Sequence, residues 1–237
     1  MQIKSSIKKI NKLLIDFFGV PEKNKKIPSS LDMLIATILS QNTNDNNSYK
    51  AFNNLKTKFK NWDEVEKLTA SQIESYIKVA GLGKQKSAAI KNVLTTLRKK
   101  NKKISLDYLK KNNDEEILEE LTNFPGVGIK TASCVLQFSL RRNVCPVDTH
   151  VHRTLNRIGL VKTSTPDKTF LAIKDNLPEN TAHSFHTNLI RLGREICKSQ
   201  NPVCSICPLK KICTYEHKNF KKKDSYKSNS FMLLDSI

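Results

Sequence analysis

The sequence lacks any apolar run close to the ~20 residues that a membrane-spanning helix needs. It also lacks the alternating apolar and polar segments that indicate half-buried strands, and no repeat has a period typical of a solenoid. Cysteine is absent from the first half of the chain, where none occurs before Cys134. We therefore expect no membrane function, and we predict an all-α fold.

Acidic residues are few, since 22 of them face 41 basic residues and leave a formal net charge of +19. This surplus predicts a polyanionic partner, for which nucleic acid is the default candidate. Because 34 of the basic residues are lysine in a chain rich in Asn and Ile, coding bias alone could produce part of the surplus. The basic segment 217–237, with Lys221, Lys222 and Lys223, is expected to be a mobile tail.

A helical pattern runs through almost the whole chain of 237 residues, which is long enough for one large core or two modest domains. Residues 1–20 have apolar side chains at helical spacing with lysines interleaved, which favours an amphipathic helix over a signal peptide. Ser30 and Asn113 are predicted as helix N-caps. Further helices are predicted at residues 31–39, 45–59, 71–79, 84–100, 114–121, 129–140, 148–158, 166–176 and 180–197.

The segment 124–131, Phe-Pro-Gly-Val-Gly-Ile-Lys-Thr, is a glycine turn that opens onto a helix. The first N–H groups of a helix have no intrahelical partner and lie at the positive end of its dipole, so such a turn can hold a phosphate. A tight loop in which Gly126 and Gly128 only supply positive φ, and Lys130 is a surface amine, is equally compatible with this segment. The turn Gly81-Leu82-Gly83 lacks the proline and is a weaker phosphate candidate.

The last four of the six cysteines cluster within 17 residues with the spacing C-x6-C-x2-C-x5-C. Four thiolates can surround one metal centre, and the spacing alone fits either a structural zinc or a cubane iron-sulfur cluster. This clustering, without a secretory signal, favours a reducing interior over a disulfide scaffold. Cys134 lies in an apolar helix and is expected to pack, while Cys145 is ambiguous.

Asp148 follows Pro146-Val147 and precedes a predicted helix. An aspartate in this position is by default an N-cap, although its carboxylate could also serve a site. His150 and His152 lie on different faces of the same predicted helix, so each could pack or hydrogen-bond instead of taking part in chemistry.

The hairpin, the Val147-Asp148-Thr149-His150 segment and the cysteine pattern, in this order, resemble the endonuclease III family of helix-hairpin-helix DNA glycosylases. The resemblance covers residues 28–216. It implies that Cys197, Cys204, Cys207 and Cys213 hold a [4Fe-4S] cluster rather than zinc.

The same resemblance implies two helical domains, with DNA in the groove between them. The first is a six-helix domain at 28–135 that includes the helix-hairpin-helix at about 113–140. The second combines 1–27 with 136–216 and carries the cluster.

The resemblance also implies a bifunctional DNA glycosylase and abasic-site lyase of base-excision repair that acts on oxidised pyrimidines in duplex DNA. Lys130 would attack C1′ of the nucleotide and form a Schiff base that permits β-elimination. Asp148 would stabilise the sugar cation, and His150 would support the site. Two alternatives stay open: a monofunctional mismatch glycosylase, and a non-catalytic helix-hairpin-helix protein that binds DNA.

A glycosylase must flip a nucleotide out of the duplex and fill the gap with its own side chains. By the resemblance, either Gln41 or Asn42 is the wedge, and Leu82 contacts the opposite strand. Phosphates would be contacted by the main chain of Gly126, Gly128 and Lys130 and by the side chains of Arg153 and Arg191, with Arg194 and Lys210 as further candidates. We expect a monomer in a prokaryotic cytoplasm, associated with the nucleoid, or in the nucleus or an organelle of a eukaryote.

Overall fold

The computed structural model describes residues 2–221, so only the first five residues of the predicted basic tail lie within the described part. Helices and turns account for all regular structure among these residues, which confirms the all-α prediction. No helix in this range is long and apolar enough to cross a membrane. The α-helices are α1 (Gln2–Phe18), α2 (Ser30–Ser40), α3 (Asp45–Lys58), α4 (Trp62–Glu66), α5 (Ala70–Ile77), α6 (Gly83–Asn101), α7 (Asp114–Thr122), α8 (Ile129–Cys134), α9 (Thr149–Ile158), α10 (Pro166–Ile173) and α11 (Ala182–Arg191).

Two of the helices continue as single π-helical turns, at Val135–Ser139 after α8 and at Leu192–Ile196 after α11. The described residues divide into two compact units, one comprising 24–142 and the other 2–23 with 143–221. The predicted domain limits at residues 28 and 135 both lie inside the first of these units.

Helix α2 is the centre of the first unit, and its residues from Ser30 to Leu39 are buried except for Asp32. Its N-cap is Ser29, whose hydroxyl accepts a hydrogen bond from Asp32 N at 3.0 Å, so the prediction of Ser30 as the cap was wrong by one residue. Ser30 is buried instead, and its hydroxyl lies 3.0 Å from that of Ser139 in the π turn.

Helix α4 was not predicted, because five residues are too few to show a period. Asn61 caps it by accepting from Glu64 N at 3.1 Å. Tertiary contacts hold the helix in place: the Trp62 indole donates to Asp32 Oδ1 at 2.9 Å and packs near the Phe52 ring.

The second unit is built on α11, which is almost fully buried and packs against α1 and α9. The hydroxyl of Ser184 donates to the Asn11 side chain at 3.1 Å, which adds a polar tie across the α1–α11 contact. On α9, Thr154 also bonds within its own helix, to the His150 carbonyl at 2.9 Å.

Candidate functional site

The hairpin between α7 and α8 is a tight turn anchored by two buried apolar residues, Phe124 and Val127. Val127 N donates to the Phe124 carbonyl at 3.0 Å and closes the turn. Gly126 has φ +83°, the left-handed conformation that glycine adopts without strain. Gly128 is the N-cap of α8 with φ −96°, so the expectation of positive φ applies to Gly126 alone.

Lys130 is the second residue of α8 and is half-buried. Its carbonyl accepts a hydrogen bond from the Ser133 hydroxyl at 2.9 Å, which stabilises the short first turn of the helix. The main-chain N–H groups of this turn have no partner inside the helix and point back towards the glycine turn. The lysine amine and a set of main-chain donors therefore share one end of α8.

The loop after α2 is hydrogen-bonded to this hairpin through Gln41. Its amide nitrogen donates to the Gly126 carbonyl at 3.0 Å and to the Thr131 hydroxyl at 3.3 Å. The next residue, Asn42, has φ +50° and an exposed side chain. Gln41 is thus turned towards the protein, and Asn42 is the residue of the pair that presents its side chain to solvent.

Leu82 lies at the tip of a second loop of the same unit. It has φ +51°, an uncommon conformation for a residue with a large side chain, and it is 47% exposed. The preceding Gly81 has φ +70°, which lets the chain turn into α6. Leu82 therefore presents a large apolar side chain to solvent at this turn.

Asp148 is the N-cap of α9 in the second unit, where its Oδ1 accepts from Val151 N at 2.8 Å. His150 lies in the first turn of this helix, in close packing against the π turn that follows α11. A Cβ added at Gly193 would lie 2.8 Å from the His150 Cβ. Burial lowers the pKa of His150, and the nearby Asp148 carboxylate only partly opposes this effect.

Arg153 and Arg191, expected to contact phosphates, are both hydrogen-bonded within the second unit. The Arg153 guanidinium donates to the carbonyls of Cys197 at 3.1 Å and Gly193 at 2.8 Å, and it lies 3.2 Å from His150 Nδ1. Arg191 donates to the Phe18 carbonyl at 3.1 Å and stacks on the Phe18 ring. Their hydrogen bonds give both arginines a role inside the protein.

The four clustered cysteines line one pocket of the second unit, together with Arg157, Lys210 and Tyr215. Burial raises the pKa of Cys207 to about 12 and also raises the pKa of Cys197. Within residues 2–221, no three cysteine, histidine or acidic side chains converge on a single point that would hold one metal ion.

Arg157, on α9, is hydrogen-bonded to the loop that begins at the first cysteine of this pocket. Its guanidinium donates to the carbonyls of Lys198 at 2.7 Å and Ser199 at 2.9 Å, and it lies 3.6 Å from the Cys197 sulfur. It also stacks 4.3 Å from the centre of the Tyr215 ring. This guanidinium partly opposes the effect of burial on the pKa of Cys197 and so favours the thiolate at that sulfur.

The two remaining cysteines, Cys134 and Cys145, are buried in separate units and line no part of this pocket. His152 Nδ1 lies 2.7 Å from the Thr169 hydroxyl, and buried His186 donates to the Pro146 carbonyl at 2.8 Å. His152 thus connects α9 to α10, and His186 connects α11 to the segment before α9.

Comparison with known proteins gives one family match and several relatives. A family described as "HhH-GPD superfamily base excision DNA repair protein" matches residues 35–179. Endonuclease III of Thermotoga maritima is 37% identical over 199 residues, which cover 84% of this chain and 89% of the relative. A candidate DNA glycosylase of Arabidopsis thaliana is 38% identical over 180 residues, and the match spans 76% of this chain but only 59% of that longer protein.

Solved structures match the fold as well. A trapped covalent intermediate of an endonuclease III with DNA superposes with a TM-score of 0.75 at 24% identity, covering 89% of this chain and 95% of that one. A non-covalent complex of an endonuclease III with DNA gives the same TM-score of 0.75. At this identity the superpositions establish a shared architecture.

Proposed function

Because this chain belongs to the endonuclease III family of the HhH-GPD superfamily, and is therefore a DNA glycosylase of base-excision repair, we propose that it is bifunctional. In this proposal it removes oxidised pyrimidines from duplex DNA and then cleaves the strand at the abasic site. The observation that carries the proposal is a lysine, Lys130, in the first turn of the helix that follows the glycine turn.

The position of Lys130 supports a nucleophilic role. The N–H groups of the Gly128 turn and the first turn of α8 can hold a DNA phosphate, which brings the sugar of that nucleotide to a fixed place. An amine two residues into the helix would then lie near the sugar rather than the base. Such positioning supplies much of the rate advantage of a covalent catalyst.

The proposed reaction needs no reactant other than the DNA and water. The neutral Lys130 amine forms a bond to C1′ while the glycosidic C–N bond breaks, and the departing base takes up a proton. The sugar ring then opens by cleavage of the C1′–O4′ bond, with O4′ taking up a proton from water, and leaves a protonated Schiff base at C1′. Loss of a C2′ proton then expels the 3′ phosphate, and water releases the lysine.

We propose that Asp148 serves this reaction as the carboxylate that stabilises positive charge on the sugar and accepts protons from the amine. Its Oδ1 is hydrogen-bonded to Val151 N, which fixes the orientation of the side chain. His150 supports the helix end through its contact with Arg153 and is not assigned a proton-transfer step.

We further propose that Asn42, not Gln41, is the wedge that fills the gap left by the flipped nucleotide. The Gln41 amide is already hydrogen-bonded to the hairpin, whereas Asn42 is exposed in a left-handed turn. Leu82 would enter the duplex from the second loop of the same unit, since an exposed apolar side chain can stack between bases.

The cysteine pocket fits a [4Fe-4S] cluster. Its donor set is four cysteines around one cavity, and a cubane cluster binds one thiolate at each of four separate irons. When bound, the cluster would supply a rigid, negatively charged cross-link among Cys197, Cys204, Cys207 and Cys213. The protein contributes Arg157, whose donors already lie against this loop.

Borohydride trapping tests the lyase proposal. A duplex with one oxidised pyrimidine should form a covalent complex with the wild-type protein, while Lys130→Gln should bind the same duplex and trap nothing. Lys99→Gln, which removes an exposed lysine from α6, is the matched control and should trap normally. Base release without trapping would identify a monofunctional glycosylase, and binding without either reaction would leave only a DNA-binding protein.

Metal analysis tests the cluster separately. Purified protein should contain iron and sulfide in equal amounts and should absorb visible light. Stoichiometric zinc in a colourless sample would contradict the proposal.

A further inference from the structure

Lys86 is a lysine buried inside the first unit, with only 2% of its surface exposed. Its ammonium donates to two main-chain carbonyls from distant parts of the chain, those of Leu39 and Ala80, each at 2.8 Å. Burial lowers the pKa of Lys86, which reflects the cost of placing a charge here. An apolar side chain at this position would avoid that cost, but it could not bind the two carbonyls.

The two carbonyls lie just before the two loops that are proposed to enter DNA. Leu39 lies in the last turn of α2, three residues before Asn42. Ala80 ends the 3-10 turn Lys78–Ala80, two residues before Leu82. The Lys86 ammonium therefore binds the main chain three residues before Asn42 and two residues before Leu82.

The chemistry of this contact suits a lysine. Carbonyls at helix C-termini are left without helical partners and carry the negative end of the dipole, so a cation is favoured there. An ammonium has three donors and can serve two carbonyls at once. Since Lys86 is itself in the first turn of α6, the helix that starts at Gly83, it also fixes both loops relative to that helix.

The same region contains the hairpin. Gly126 approaches α6 so closely that an added Cβ would lie 3.1 Å from the Ala89 Cβ. Gln41 joins the first loop to the hairpin through the Gly126 carbonyl. The three segments proposed to contact DNA are thus connected within one unit by two side chains, Lys86 and Gln41.

We propose that Lys86 is a positioning residue for base flipping, which holds the Asn42 and Leu82 loops at the spacing needed to enter the duplex together. This inference rests on the proposed function, because it assumes that these loops enter DNA. It assigns no contact between Lys86 and the nucleic acid.

The test compares Lys86→Met with Lys91→Met. Lys91 lies on the same helix and also donates to a main-chain carbonyl, that of Glu66 at the end of α4, but it has no hydrogen bond to either loop. Each variant is assayed for strand cleavage of a duplex carrying a lesion and of a single strand carrying an abasic site, which needs no flipping. Flipping itself is followed without chemistry, by the fluorescence of 2-aminopurine next to the lesion in the duplex.

For Lys86→Met we expect single-turnover cleavage of the duplex to fall on the order of 10- to 100-fold, as a displacement of about 1 Å can cause. The 2-aminopurine signal should fall with it, while cleavage of the abasic single strand stays within about twofold of wild type. Lys86→Arg keeps a cationic donor and should recover part of the signal. Lys91→Met should resemble wild type in all three assays.

A folded Lys86→Met protein with wild-type 2-aminopurine signal would overturn the inference, and so would an equal loss on both substrates. If the methionine variant does not fold, Lys86→Gln, which keeps a donor for one carbonyl, takes its place with the same two criteria. If wild type cleaves neither substrate, the lyase proposal fails, yet the fluorescence comparison still decides whether Lys86 positions the loops.

Discussion

Asp148 is proposed to have two roles, which substitutions can separate. One carboxylate oxygen caps α9, and the negative charge is proposed to stabilise the sugar cation. Its Oδ1 accepts from Val151 N at 2.8 Å. Asparagine caps helices about as well as aspartate, so Asp148→Asn should keep the cap and lose only the charge. Asp148→Ala should lose both.

The expected magnitudes differ enough to measure. Loss of an N-cap costs about 1 kcal/mol, which lowers the melting temperature of a protein of this size by roughly 2–4 °C. Asp148→Ala should show this shift, and Asp148→Asn should melt within about 1 °C of wild type. Both should lose about 10²- to 10⁴-fold in single-turnover strand cleavage, the usual contribution of a carboxylate that moves protons.

Thr165→Ala is the matched control for the cap. Thr165 caps α10 in the same unit by accepting from Lys168 N at 3.2 Å, and no chemistry is assigned to it. It should melt lower by a similar amount and cleave DNA normally. If Asp148→Asn cleaves at the wild-type rate while Asp148→Ala does not, the cap explains the requirement and the chemical role is refuted.

Gly126→Ala should destabilise the protein by about 1–2 kcal/mol in urea denaturation, because φ +83° is strained for alanine and the new Cβ would crowd Ala89; an unchanged midpoint would contradict this. Gly128→Ser, at the α8 N-cap with φ −96° and open space around its Cβ, keeps a favoured cap residue; it is the control and should be nearly neutral. Leu82→Ala should weaken flipping of a lesion with little change in melting, since the side chain is already 47% exposed. Arg157→Met should make the cluster bleach faster in air, measured by visible absorbance, because the cysteine loop loses its guanidinium hydrogen bonds; equal bleaching rates would refute this role.

Most helices could be predicted from the sequence because their signals are local. Asn113 caps α7 with Glu116 in a reciprocal capping box, and Pro166 opens α10, as the sequence indicates. Helix α4 could not be predicted, since it depends on the tertiary hydrogen bond from Trp62 to Asp32. Even the α2 cap was misplaced by one residue, because two adjacent serines are equivalent until one of them is buried.

The residues of the candidate site also differ in how far local sequence signals predict them. Lys130 and Asp148 were predicted as site residues from short motifs whose residues also set the local fold, and their roles stay predictions. Arg153 was expected to meet phosphates, but its guanidinium is hydrogen-bonded inside the protein, and nothing in sequence distinguishes an arginine bound internally from a solvated one. Burial of Lys86 was not predicted either, because no sequence pattern distinguishes this one buried lysine from the other lysines among the 34.

Helix α9 connects Asp148, at its N-cap, to the cysteine pocket. The state of the pocket can therefore affect the position of Asp148. Arg153 and Arg157, one turn apart on α9, donate to main-chain carbonyls at and just after Cys197. Because the contacts of the two arginines connect the helix to the loop at Cys197, a bound cluster would hold α9, and with it Asp148 at its N-cap, in one orientation. Removal of a bound cluster should therefore reduce single-turnover cleavage by displacing that carboxylate.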